Sequence, residues 1–273
     1  MPTIVDRDDT VALLRATWSA IDELCTGLDP VDFATPTCLP GWTVQDQLSH
    51  LTGTEQMLLG EPAPEVDVAH LAHVRNDIAA MNEVWVQDKR RFSGAEVLEQ
   101  FRAATAARLA VLDAMTQADF DAPSWTPAGP DETYGRFMRI RAYDAFQHEH
   151  DTRIALGLPT RPDHAAIRSA LDETEPALGY IVGRRAALPA GTTVRVHLTG
   201  PVSATYCIDV ADRARVVDAL SAAPTVEATL DALLFLRLTG GRLAGEELIG
   251  SAIHLVGDHE LGHRLVANLA FTI

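Results

Sequence analysis

Residues 137–157 read Phe-Met-Arg-Ile-Arg-Ala-Tyr-Asp-Ala-Phe-Gln-His-Glu-His-Asp-Thr-Arg-Ile-Ala-Leu-Gly and bring acid, imidazole and guanidinium groups together. The run has no Pro, its Gly comes last, and its Ala, Leu, Arg and Gln favour helix. On a helix, residues three and four apart share a face. Arg141, Asp144, His148 and Asp151 therefore line one side over about three turns. An Asp and a His four apart can hold one cation, because they project the same way from adjacent turns. Carboxylate oxygen and imidazole nitrogen suit zinc and similar divalent metals. Taken alone, D-x-x-x-H is more often an acid–His pair on a wet surface.

A second motif competes with it. His259-Glu260-Leu-Gly-His263 satisfies H-E-x-x-H, the helical signature of zinc peptidases. Zinc needs a third protein ligand, which in such enzymes lies downstream. The residues that follow here, Arg264-Leu-Val-Ala-Asn-Leu-Ala-Phe-Thr-Ile, offer no His, Glu, Asp or Cys. Gly262 weakens the helix interior, and Leu261, Leu265 and Leu269 form an ordinary buried stripe. The peptidase reading is the weaker one.

The elements that must position these groups are legible in the apolar spacing. A first helix from about Asp8 to Leu28 carries Val11, Leu14, Trp18, Ile21, Cys25 and Leu28 in steps of three and four. Cys25 belongs to that stripe and reads as packing. After the Pro40-Gly41 turn, Thr43 and Asp46 open a second helix that runs to about Gly60. It packs Val44, Leu48, Leu51, the stem of Glu55 and Leu58, and places His50 at the edge of the apolar face. A Pro-rich linker, 61–67, precedes a third helix over 68–91, on which His70 and His73 read as a solvated face. Ser93 and Glu96 open a fourth, from Gly94 to about Met115. Residues 116–132 form a long Pro-containing connection, of the kind that covers a site. Four long helices and the core helix make a bundle whose ligands come from facing helices.

Beyond residue 160 the pattern changes. A helix over 163–185 leads to an alternating strand at 193–199, then strands at 204–210 and 225–230, a helix over 231–239, a strand at 253–256 and a terminal helix. The expectation is an α-helical first domain, 1–160, and a small α+β domain, 161–273.

Composition bounds the function. The chain has 273 residues, 47% of them hydrophobic, enough for a buried core. A net charge of −16 argues against nucleic acid as a partner. Charged residues at the start argue against a signal peptide. No run approaches the roughly 18 apolar residues of a membrane span. Cys25, Cys38 and Cys207 are few and far apart, which fits a reducing cytoplasm. Lys89 is the only lysine among 22 basic residues, a bias of GC-rich genomes.

Leu39-Pro-Gly-Trp-Thr-Val-Gln-Asp-Gln-Leu-Ser-His50-Leu and Arg141-Ala-Tyr-Asp144-Ala-Phe-Gln-His148-Glu-His-Asp151-Thr-Arg153-Ile-Ala-Leu-Gly157 together resemble the mycothiol-dependent maleylpyruvate isomerase family. Asn82-Glu-Val-Trp-Val resembles that family's third helix. The second half is similar to the sterol-carrier-like domain often appended to it. The resemblance implies a DinB-like four-helix bundle. It places the family's metal ligands on His50, Asp144 and His148, with Asp151 behind them as a hydrogen-bond acceptor or an arginine's partner.

By the same resemblance the cofactors are a divalent metal, zinc first, and mycothiol as thiol cosubstrate. Three protein ligands leave a position open, and zinc stabilises a thiol bound there as thiolate. The expected activity is addition of that thiol to an electrophilic small molecule, as S-transfer or cis–trans isomerisation. Arg237 or Arg242 could hold a substrate carboxylate. A non-catalytic binding protein on the same fold is the main alternative, and a hydrolase using bound water a further one. A monomer or homodimer, with neither nucleic acid nor membrane as partner, completes the expectation.

Overall fold

The computed structural model describes residues 2–272. It divides between Arg161 and Pro162 into two compact units, each built around its own core.

In the first unit, α1 (Arg7–Cys25) starts where Asp6 accepts from the Asp9 amide. Its stripe of Val11, Leu14, Trp18, Ile21 and Cys25 is buried, as the spacing predicts. The helix stops at Cys25 rather than Leu28, because Thr26 is extended and Gly27 takes a φ of +83°. A short helix α2 (Pro30–Phe33) follows, and then α3 (Val44–Leu58), opened by the Thr43/Asp46 capping box. α4 (Asp77–Lys89) is shorter than expected, since Asn76 caps it. The segment before it makes only isolated turns, Leu71 to Val68 and Val74 to Leu71. Three-residue turns mimic helical apolar spacing, which explains the difference. α5 (Gly94–Ala114) begins at the Ser93/Glu96 box.

The connection after α5 is structured too. It holds α6 (Gln117–Asp121) and a hairpin of β1 (Pro123–Thr126) with β2 (Gly129–Thr133), which leads straight into α7 (Tyr134–Ala155). α7 packs on α1 and α3; α3 in turn packs on α4 and α5. Gly53 permits the α3–α4 approach: a Cβ there would lie 2.3 Å from the Trp85 Cβ. Because that atom is fixed to the α4 backbone, the helices must part to accommodate it. Gly53→Ala is expected to destabilise by at least about 1–3 kcal/mol, the usual range for overpacking. A urea midpoint equal to wild type would contradict this.

In the second unit, α8 (His164–Thr174) continues through a 3-10 turn (Glu175–Ala177), α9 (Leu178–Tyr180) and a π-helical turn (Ile181–Arg185). Pro176 lacks the amide that an unbroken α-helix over 163–185 requires. The five strands β3 (Thr193–Thr199), β4 (Ala204–Val210), β5 (Ala214–Val217), β6 (Val226–Asp231) and β7 (His254–Gly257) form one sheet. Its order is β5-β4-β3-β6-β7, with β3 and β6 parallel and the other pairs antiparallel. Val194, Val196 and Leu198 alternate inward with Val226, Ala228 and Leu230 beside them. α10 (Ala232–Thr239) and α11 (His259–Val266) pack against the same sheet. β5, four residues long, carries too little alternation to be read from sequence.

Candidate metal centre

Two helices of the first unit bring the expected side chains together. His50 projects from α3, and Asp144 and His148 lie one turn apart on α7. His50 Nε2 is 3.0 Å from Asp144 Oδ2, and His148 Nε2 is 3.3 Å from Asp144 Oδ1. One donor atom from each residue lies within 4.8 Å of the others. Both histidines are buried, whereas the Asp144 side chain is 27% exposed. The group is therefore reached from the carboxylate's side.

The neighbours tune each donor. Gln47, one turn before His50, sets its Oε1 against His148 Nδ1. An amide oxygen only accepts, so Nδ1 donates to it, and Nε2, the nitrogen that faces Asp144, is the one left to ligate a cation. This is the outer partner a ligating histidine ordinarily has. His50 Nδ1 has no such partner among the described residues. Burial lowers the His50 pKa, despite the opposing pull of Asp144, and so favours the neutral imidazole that can ligate. For Asp144, burial opposes ionisation, but the two imidazoles and the Arg141 guanidinium beside it outweigh burial and hold the carboxyl well below its usual range. Neutral imidazoles and an ionised carboxylate are what a zinc-like cation requires.

Behind the donors runs a buried ionic chain. Arg141 Nη1 donates to Asp144 Oδ2 at 2.5 Å and its Nε to Glu55 Oε1 at 3.0 Å. Arg108 Nε donates to the other Glu55 oxygen at 3.1 Å, and its Nη2 to the Tyr134 hydroxyl at 2.9 Å. Asp151 stands at the other end, with Oδ2 3.9 Å from His148 Nδ1 and Oδ1 accepting from Cys38 Sγ at 3.3 Å. The indole of Trp42 lies over the histidines, its centroid 5.3 Å from His50 and 5.9 Å from His148.

Other sequence candidates fall elsewhere. His73 is not on a solvated helix face: it sits in the turns before α4, its Nε2 3.1 Å from the buried Glu83. Burial, with Asp22 nearby, pushes the Cys25 thiol up to about 12, as a packing residue should be. His259, Glu260 and His263 are all exposed on α11. Among the described residues they join no set of metal-donor atoms. Arg242 is turned to the Gly240 carbonyl, at 2.6 Å. Sequence reasoning missed Gln47, Arg108 and the charge role of Glu55. One signal was available: Arg108 stands four residues from both Ala104 and Leu112 in a buried stripe, and a charge there needs a partner.

Comparison with known proteins accords with the geometry. Two uncharacterized proteins of Mycobacterium tuberculosis, from strains H37Rv and CDC 1551, are each 27% identical over 219 residues. Each match covers 78% of this chain and 81% of the relative. The crystal structure of the mycothiol-dependent maleylpyruvate isomerase superposes with a TM-score of 0.57 at 14% identity. It covers 92% of this chain and 93% of that one, and a histidine mutant of the same enzyme matches equally well. At that identity the likeness establishes the fold: a helical first region followed by a sheet-containing one. The profile of the mycothiol maleylpyruvate isomerase N-terminal domain matches residues 14–153, a span that holds α3, α7 as far as Arg153 and the His50–Asp144–His148 group, and the chain belongs to this family.

Proposed function

We propose that this protein is a metal-dependent enzyme that adds mycothiol, or a similar low-molecular-weight thiol, to an electrophilic small molecule. The product is either the S-conjugate or, after elimination of the thiol, a cis–trans isomer. Family membership supports the thiol. The observation that carries the metal is the convergence of two buried imidazoles and an ionised carboxylate within 4.8 Å. His50, Asp144 and His148 would hold a divalent cation, zinc fitting the donor set best. The DinB-like and sterol-carrier-like character of the two units, with their boundary near residue 160, belongs to the same proposal.

The chain's own residues prepare the site in definite ways. Gln47 orients the His148 ring and Arg141 orients the Asp144 carboxylate. The buried charges of Arg108 and Arg141 are matched by those of Glu55 and Asp144. A divalent cation held there would add positive charge to this balanced, poorly screened place and would favour a thiolate over a thiol. With that nucleophile supplied by the cosubstrate, the protein needs no cysteine of its own, in keeping with the unreactive Cys25. Trp42 shields the imidazoles, leaving the Asp144 side for thiol and electrophile.

The test is thiol-dependent turnover. Zinc-loaded protein is mixed with mycothiol and either a bimane electrophile or a cis-unsaturated dioxo acid, and substrate loss is followed. Turnover is expected with wild type and with the His259→Ala/His263→Ala double variant, and none without thiol. Peptide cleavage lost in the double variant would replace this reading with the peptidase one. Metal binding with no turnover across thiols and electrophiles would make the protein a binding protein.

A further inference from the structure

Trp42 is held more firmly than a merely space-filling aromatic requires. It follows the Leu39-Pro40-Gly41 turn, closed by the Trp42 amide on the Leu39 carbonyl at 3.1 Å. Gly41 takes a φ of +80° there. Arg90 ties the turn to α3, its Nη2 donating to the Gly41 carbonyl at 2.7 Å and its Nε to Asp46 at 2.9 Å. The indole Nε1 then donates to Glu83 Oε2 at 2.8 Å. Glu83 is 1% exposed on α4. Its other oxygen accepts from Gln87 Nε2 at 2.6 Å, and the His73 ring closes on Oε2.

Burying a carboxylate is costly unless its oxygens are used. An indole that only filled space could leave its N–H to water. A hydrogen bond from the indole to a buried carboxylate that Gln87 also holds fixes the ring's angle as well as its position. The ring so fixed is the one beside both imidazoles of the donor set.

We propose that Trp42 is the roof of the His50/Asp144/His148 group, closing its imidazole side to solvent and ligands, and that Glu83 is the positioning residue that holds the roof in place. Entry to the centre is thereby confined to the Asp144 side. This rests on the donor set being the site, but the roof itself can be tested without any metal.

The experiment is carbethoxylation of histidines by diethylpyrocarbonate, resolved by peptide mass spectrometry on metal-stripped protein. In wild type, His50 and His148 should react far more slowly than the exposed His259 and His263. Trp42→Ala should speed both by about tenfold or more, since labelling of a covered group waits on local opening. Trp42→Phe, which retains a ring but has no N–H for Glu83 to hold, should speed both by less than Trp42→Ala does. Glu83→Leu should raise both rates although the indole remains, whereas Glu83→Gln keeps an acceptor and should restore protection. His150, buried on the opposite side of α7 with Nδ1 on the Phe146 carbonyl, reports the fold and should not change.

If Trp42→Ala also exposes His150, the Glu83→Leu and Glu83→Gln pair decides the matter. Wild-type labelling of His50 and His148 in Glu83→Leu would overturn the positioning role, and in Trp42→Ala the roof. A repeat with zinc separates the two readings. Zinc protecting His50 and His148 in the opened variant supports the metal centre. Failure to protect them removes the metal centre and leaves the roof standing.

Discussion

His148→Ala should empty the metal centre: about one zinc per chain in wild type, measured by mass spectrometry, falls to near zero after dialysis. Three protein donors are the least a catalytic zinc site ordinarily has. His148 is also the donor whose tautomer Gln47 fixes, so the substitution removes a prepared ligand. Thiol-dependent turnover should fall with the metal. Gln47→Leu keeps all three donors and removes only the outer partner. Its expected effect is weaker affinity by roughly 10–100-fold, as for other outer partners of zinc ligands. The His259→Ala/His263→Ala variant should keep its full zinc. Retention of zinc by His148→Ala together with its loss from the double variant would move the centre to α11 and dismiss the bundle site.

The contrast between the two motifs shows what local sequence can reveal. Arg141, Asp144, His148 and Asp151 could be placed on one face from helical spacing alone, and their contacts follow it: 2.5 Å from Arg141 to Asp144, 3.3 Å from His148 to Asp144. His50 is 94 residues from Asp144, and no periodicity reports which helices face each other. Only the family resemblance joined it to α7. H-E-x-x-H looked sharper as a pattern, yet α11 leaves those side chains in solvent, because a motif carries no information about a third donor.

Capping boxes at Thr43 and Ser93 marked the starts of α3 and α5 correctly, since a cap is a local bond between residues three apart. Spacing misled at residues 68–76, where successive turns share the helix's three-residue step. The π-helical turn at 181–185 and the short edge strand β5 depend on packing against the sheet, to which single-sequence patterns are blind.

Glu55 carries the largest stability effect expected of any single side chain here. It is 0% exposed and accepts from two guanidiniums that are themselves buried. Glu55→Leu strands Arg108 and takes one of two carboxylates from Arg141. Arg108 would keep only a phenol and a thioether sulfur, and Arg141 only Asp144, with its Nη2 already unpaired among the described residues. Leaving a buried charge without its partner costs about 3–5 kcal/mol. At roughly 2–4 °C per kcal/mol for a chain of this size, Tm should drop by about 6–20 °C. The loss should not be additive with loss of Arg108. Glu55→Leu combined with Arg108→Met removes a charge pair together and should recover a large share of the stability, because one stranded cation disappears. Arg141 is then less tightly held and so is Asp144, which predicts weaker zinc binding in both variants even where the fold recovers. Calorimetry on metal-free protein separates the two effects. A Glu55→Leu shift below about 1 kcal/mol would show that water reaches the guanidiniums and that this chain is not the sealed support of Asp144 that its burial describes.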